Sequence, residues 1–171
     1  MNLLFAIAPE RFRDEELDTP KRIFEEAGIG VDIASTITGI CTGMLGAAVE
    51  ANMTFDDVEP DDYAGIVVVG GTGSQEFLWT NKKLRSLVRV FFEQGKVVAA
   101  ICLGPVVLAR AGILAGRQAT VYPSPEAVRE MEKGGANLVK IPVVADLQVV
   151  TANGPGAAAQ FADTIITKLE C

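Results

Sequence analysis

Short apolar runs alternate along the chain with stretches whose apolar residues recur every three or four positions. The first pattern marks strands buried on both faces, and the second marks helices lying on a core. Their alternation predicts an α/β fold with a mostly parallel sheet covered by helices on both sides. Residues 2–8, Asn2 followed by Leu3, Leu4, Phe5, Ala6, Ile7 and Ala8, read as the first strand. Asp14 stands where a helix cap is expected, ahead of a helix carrying Leu17, Ile23 and Phe24 and ending near Gly28 and Gly30. Residues 31–34 form a second strand. Residues 35–56 lack a helical period, which predicts an excursion with a β-hairpin around Gly43 to Gly46. Further strands are expected at 65–69, 96–101 and 148–152, with a short one at Thr120 and Val121. Helices are expected at 81–94, 103–114, 125–133 and 155–169, with Pro105 tolerated in a first turn. No linker, repeat or low-complexity stretch divides the chain, so one domain over residues 1–171 is expected.

Composition narrows the classes of function. Hydrophobic residues make up 49% of 171 and charged residues 22%, as in a folded chain with a substantial core. The net charge of −7, with no basic stripe, makes nucleic acid an unexpected partner. The apolar N-terminal run is too short to cross a bilayer and lacks the basic flank of a signal peptide, so no membrane partner is expected. Three cysteines without CxxC spacing indicate neither a disulfide framework nor a zinc site, and a cytoplasmic protein with reduced thiols is expected. The count of histidines is 0. That excludes Cys–His and Ser–His catalysis and imidazole metal sites, even in a homo-oligomer. Nothing in the sequence requires a metal, nucleotide or flavin cofactor.

The strongest chemical signal is Val97-Val98-Ala99-Ala100-Ile101-Cys102-Leu103-Gly104-Pro105. A buried strand delivers a thiol just before a helix, where unpaired N–H groups and the dipole favour thiolate. The geometry is that of a nucleophile elbow without the G-x-S-x-G pattern. A free cysteine also packs such junctions as a small hydrophobe, and that reading stays open. Cys41 and Cys171 carry no comparable signal.

Ala100-Ile101-Cys102-Leu103-Gly104-Pro105, with 111–117 downstream, resembles the cysteine core of the DJ-1/PfpI (ThiJ/PfpI) superfamily. The segment from Phe12 to Leu17 with Pro20 is similar to that family's first helix. Thr54 to Val58, Asp62-Tyr63 and Val69-Gly70-Gly71 match its middle portion; Thr120 to Pro123 and Asn153 to Gly156 match its C-terminal motifs. The resemblance implies a flavodoxin-like three-layer sandwich centred on Cys102. It also implies that Glu16 hydrogen-bonds the sulfur and holds a proton when the thiol is ionised, although Glu15 beside it is the same residue type. Gly71 and Leu103 are implied as backbone donors for an oxyanion; Gly70 to Gly73 equally fits a tight turn needing positive φ. Tyr122 falls where a phenol orients substrate, donates a proton, or simply packs. Asn153 and Gly154 are expected at the pocket rim, or merely as a helix-start turn.

Relatives of the peptidase type carry histidine after the cysteine, where this chain has Leu103, so peptidase chemistry is the least favoured expectation. The first expectation is a cysteine enzyme of glyoxalase or deglycase type, whose partner is a small aldehyde or a modified protein. The second is a redox-sensing or protective role through oxidation of Cys102. The resemblance further implies a homodimer or higher homo-oligomer.

Overall fold

The computed structural model describes residues Met1–Cys171. In chain order the elements are β1 (Asn2–Ala6), β2 (Glu10–Phe12), α1 (Asp14–Glu26), β3 (Gly30–Ser35), β4 (Gly39–Gly43), β5 (Ala48–Ala51), β6 (Met53–Thr54) and β7 (Gly65–Val68). There follow α2 (Lys82–Glu93), β8 (Val97–Ile101), α3 (Pro105–Arg110), β9 (Gln118–Ala119), α4 (Pro125–Lys133), β10 (Asn137–Leu138), β11 (Val143–Asp146), β12 (Val149–Ala152) and α5 (Ala158–Leu169).

The central sheet has the order β11-β12-β8-β7-β1-β3-β6, parallel except for the β11–β12 pair. Its central strands β7 and β8 are apolar throughout because helices cover both faces. Helices α1 and α5 pack together on one face; α2 and α3 lie on the other, with α4 against α3. From β1 the chain builds outward through β3, then returns through β7, β8 and β12 on the other side. Strand order therefore reverses between β1 and β7. In such sheets, ligands bind beyond the carboxyl ends of the strands at this switch point. Ala6, Val68, Ala100 and Thr151 share one register level across β1, β7, β8 and β12, so the segments leaving β7 and β8 emerge side by side.

The expected flavodoxin-like sandwich is the observed fold. Most expected elements are present with ends shifted by a few residues, and the hairpin around Gly43 to Gly46 is β4–β5. Three expectations need correction. Asp14 does not cap α1: Arg13 occupies the cap without a side-chain bond, and the Asp14 carboxylate accepts from the Leu45 and Ala47 amides at 3.0 and 2.9 Å. That acid pins the hairpin turn onto the start of the helix. The helix expected at 103–114 is only Pro105–Arg110. Gly112, at φ 83°, closes it as the left-handed residue of a Schellman end, with Ile113 N–H bonded to Leu108 O and Gly112 N–H to Ala109 O. The short strand is Gln118–Ala119 instead of Thr120 and Val121, and it pairs with β10.

Strand β2 gave no sequence signal because its three residues include Glu10 and Arg11. It pairs with β4, so the excursion forms a small sheet, β2-β4-β5, beside the start of α1.

Asp14→Ala should free the Leu45 and Ala47 amides to exchange faster with solvent and lower unfolding free energy by about 1–2 kcal/mol. Amide exchange by NMR together with urea denaturation checks this; unchanged protection at both amides would refute the pinning role.

Candidate active site

Cys102 follows β8 and adopts φ 64°, a left-handed conformation that costs a non-glycine residue about 1–2 kcal/mol. Its surroundings impose that conformation. Cys102 N–H donates to Ala152 O at 2.8 Å, Tyr122 N–H donates to Cys102 O at 2.9 Å, and Gly104 N–H donates to Ile101 O at 2.9 Å. The Trp79 indole N–H donates to Leu103 O at 2.8 Å. Leu103 N–H is left without a carbonyl acceptor and faces the sulfur.

The turn after β7 supplies the second donor. Gly71, at φ 101°, turns its N–H toward Cys102. Arg13 N–H donates to Gly70 O at 3.1 Å, tying this turn to the entrance of α1. A side chain at Gly70 has no room: a Cβ there would stand 2.6 Å from Glu16 Oε1 and 2.7 Å from Cys102 Cβ. Gly70 is a site residue that sequence reading passed over. The Gly-Gly pair signalled a turn, but nothing in it signalled which glycine meets the carboxyl.

Glu16 is fully buried in the first turn of α1, beside the sulfur. Oε1 accepts from Gly70 N–H at 3.0 Å, whereas Oε2 is buried with no donor aimed at it. An ionised carboxylate needs donors at both oxygens, and burial without them is expensive. A carboxylic acid has no such difficulty, because the neutral group tolerates burial and its O–H is a donor available to the neighbouring Cys102 side chain. Burial is accordingly the main cause that pushes the Glu16 carboxyl up to about 8. Its neighbour Glu15 makes a two-pronged ion pair with Arg13, with both contacts at 3.0 Å, and is held below the usual carboxylate range. The structure thus separates the two glutamates: one is a surface ion-pair partner and the other faces the thiol.

The thiol departs from the depressed pKa expected of a helix terminus. Burial, then the charge of Glu16, push Cys102 up to about 12, against the pull of the Gly71 and Leu103 amides. Cys102 is only 7% exposed, and α3 is too short to develop a strong dipole. Ionised together, Glu16 and Cys102 repel, so the pair carries at most one negative charge near neutrality. Arg13 is the cation whose charge reaches both groups.

Tyr122 touches the elbow through its backbone amide; the residue is 46% exposed and its phenol has no hydrogen-bond partner. Its ring lies beside Gly154. Asn153 donates its backbone N–H to Pro142 O at 3.0 Å and lines a groove of about 690 Å³ with Val121, Pro123 and Val128. Cys102 does not line that groove. The structure brings Cys102, Glu16, Gly71 and Leu103 together, with the Tyr122 backbone behind them, while Asn153 borders a neighbouring hollow.

A strand-to-turn cysteine with positive φ, a buried acid from the opening helix and two free amides form a thiol–carboxyl centre on a flavodoxin-like sheet. The DJ-1/PfpI family model matches residues 1–168, and the chain belongs to that family. An uncharacterized protein of Methanocaldococcus jannaschii is 52% identical over 168 residues, covering 98% of this chain and 82% of that one. A protein of Pyrococcus furiosus named deglycase PfpI is 38% identical over 157 residues, covering 91% and 92% of the two chains. The crystal structure of a ThiJ/PfpI domain protein from Brachyspira murdochii superposes with a TM-score of 0.95 at 32% identity, covering 99% and 96%. No helix is long and apolar enough to cross a membrane.

The sign of the Glu16 shift sets a dependence of stability on pH. The folded chain keeps this proton up to about 8, whereas the unfolded chain releases it near 4.5. Between those values the folded state binds more protons, so stability falls as pH rises through the window. Glu16→Gln is neutral throughout and lacks this slope. Its melting temperature should gain on the wild type from pH 4.5 to about 8, as calorimetry at several pH values will read. A constant difference would contradict a protonated Glu16. The same substitution removes a repelling charge, so iodoacetamide should alkylate Cys102 at lower pH in the variant.

Proposed function

We propose that this protein is a Cys102-dependent enzyme of deglycase or glyoxalase type, acting on small reactive carbonyl compounds or their adducts on proteins. The observation that carries this reading is the buried thiol–carboxyl pair with one unpartnered oxygen, facing two free main-chain amides. The 38% identity to a relative named deglycase supports it.

The chemistry follows from those groups. Cys102 sulfur adds to the aldehyde carbon, and the thiol proton reaches the carbonyl oxygen by way of Glu16, giving a hemithioacetal. The Gly71 and Leu103 amides stabilise the oxyanion before that proton arrives. With a 2-oxoaldehyde such as methylglyoxal, Glu16 releases its own proton to solvent, and the carboxylate then removes the hydrogen on the carbon bonded to sulfur as a proton. That proton returns to the adjacent carbon, while the hydroxyl proton of the sulfur-bearing carbon passes to the former ketone oxygen. One carbon is oxidised and its neighbour reduced, so no external oxidant takes part. The resulting lactoyl thioester is hydrolysed by water, releasing lactate and restoring the thiol. A protein adduct first collapses to free aldehyde and the protein's amine or thiol, and the aldehyde then follows the same course. The exposed Tyr122 phenol, without a partner of its own, offers a hydrogen bond to the polar end of the substrate.

Assembly into a homodimer or higher homo-oligomer in the cytoplasm belongs to this reading. Exposed Ile40, Met44 and Leu45 on the β4–β5 hairpin supply apolar surface for a second copy. Sensing by oxidation is the second reading: the two amides and the acid O–H are three donors converging where sulfinate oxygens would sit. Burial of the sulfur and its raised pKa weigh against that reading. Peptidase chemistry has no imidazole to use, since the chain has 0 histidines.

Wild-type protein should convert methylglyoxal to lactate, Cys102→Ser should give none, and Glu16→Gln should lose about 100-fold or more. Enzymatic lactate assay checks this. No lactate above background from folded wild-type protein would reject the reading.

A further inference from the structure

The only tryptophan in the chain lies outside the thiol–carboxyl pair, yet it bonds the elbow directly. Leu103 C=O accepts from the Trp79 indole N–H and from no backbone amide. Trp79 is 4% exposed, so this bond is shielded from competing water. Leu103 N–H and C=O flank one residue. The carbonyl side is held by Trp79, and the preceding peptide is held by Tyr122 N–H on Cys102 O. With both neighbouring carbonyls fixed, Leu103 cannot rotate its N–H away from the sulfur without breaking a buried hydrogen bond. Loss of such a bond leaves a carbonyl unsatisfied and costs about 1–3 kcal/mol.

Trp79 is itself held from two sides. The chain leaves Gly71 through a π-type turn over Ser74–Leu78, and Trp79 N–H closes this turn on Ser74 O at 3.1 Å. Wide turns of this kind recur at functional sites, where they re-aim a side chain. From the far side comes Arg110, the last residue of α3. Its Nη1 donates to Trp79 O at 3.1 Å and its guanidinium carbon lies 5.6 Å from the indole centroid. Glu130 on α4 grips the same guanidinium with two parallel bonds, Nε to Oε2 at 3.0 Å and Nη2 to Oε1 at 2.9 Å. Both partners of that pair are about three-quarters shielded, at 27% and 23% exposure, which favours a fixed geometry over a solvated one.

We propose that Trp79 is a positioning residue for the reactive thiol: its indole N–H on Leu103 C=O keeps Leu103 N–H aimed at Cys102 Sγ, and the Arg110–Glu130 pair keeps the indole in place. The proposal rests on Cys102 being the reactive group and not on which carbonyl compound it meets. Through Trp79, an ion pair between two helices reaches a main-chain donor at the sulfur. The elbow is thereby braced on the α2–α3–α4 side, as Glu16 braces it on the side of α1.

The test reads the thiol itself. Trp79→Phe keeps most of the ring but removes the indole donor. Iodoacetamide alkylation of Cys102, followed by mass spectrometry across pH, should show a profile moved upward by about one unit. The rate at a fixed intermediate pH should fall about tenfold. Glu130→Gln, which loosens Arg110 while leaving the indole intact, should move the profile in the same direction by less. Phe91→Leu, a core change at the far end of α2, lowers stability and should leave the alkylation profile unmoved. A wild-type profile in Trp79→Phe, or an equal shift in Phe91→Leu, would overturn the proposal. If Trp79→Phe does not fold, Glu130→Gln decides alone, and an unchanged profile there overturns it. Failure of the wild type to turn over methylglyoxal would reject the proposed activity and leave this result standing.

Discussion

A proton held in a space with too few donors governs the site. Glu16 is buried, bonded at one oxygen to Gly70 N–H and unpartnered at the other, next to a buried sulfur. Desolvation favours the neutral form of both groups, and their mutual repulsion forbids two charges. Removing one proton leaves a single negative charge shared over sulfur and carboxyl, with the Gly71 and Leu103 amides aimed at the sulfur end. The pair therefore behaves as one acid. A carboxylic acid that gives and retakes its proton beside a nucleophile is what addition to a carbonyl group requires.

The fold supplies that arrangement from three segments that meet only because strand order reverses between β1 and β7. The segment leaving β7 gives Gly70 and Gly71, and the end of β8 gives Cys102 and Leu103. The start of α1 gives Glu16. Tight contacts maintain the junction: Arg13 N–H on Gly70 O, and the absence of a side chain at Gly70, where a Cβ would meet both the acid and the cysteine. Strain at Cys102 is tolerated because almost every polar backbone group around it is already bonded, and the free amides are those that face the sulfur. Stability is given up locally to fix the reacting atoms relative to one another.

Much of this was legible in the sequence, for identifiable reasons. Apolar runs such as Ile66 to Val69 and Val97 to Ile101 are buried on both faces and show as strands without ambiguity. Cys102 was visible as a thiol between a buried strand and a helix start, and Glu16, Gly71 and Leu103 through family resemblance. What escaped depends on tertiary contact. Asp14 looks like a helix cap in one dimension, yet its carboxylate bonds a hairpin more than thirty positions away. The thiol's raised pKa follows from burial beside a second acid, whereas sequence spacing shows only a helix start. Trp79 belongs to no motif, and its indole bond to Leu103 spans 24 residues.

The protonation state of Glu16 tests the account most directly. Carbon-13 NMR of the side-chain carboxyl, assigned by comparison with Glu16→Gln, follows that proton without relying on turnover. The resonance should stay in the acid form through neutral pH and titrate near the value of about 8 set by burial. A midpoint near the ordinary 4.5 would contradict it, since the pair would then be a carboxylate beside a neutral thiol.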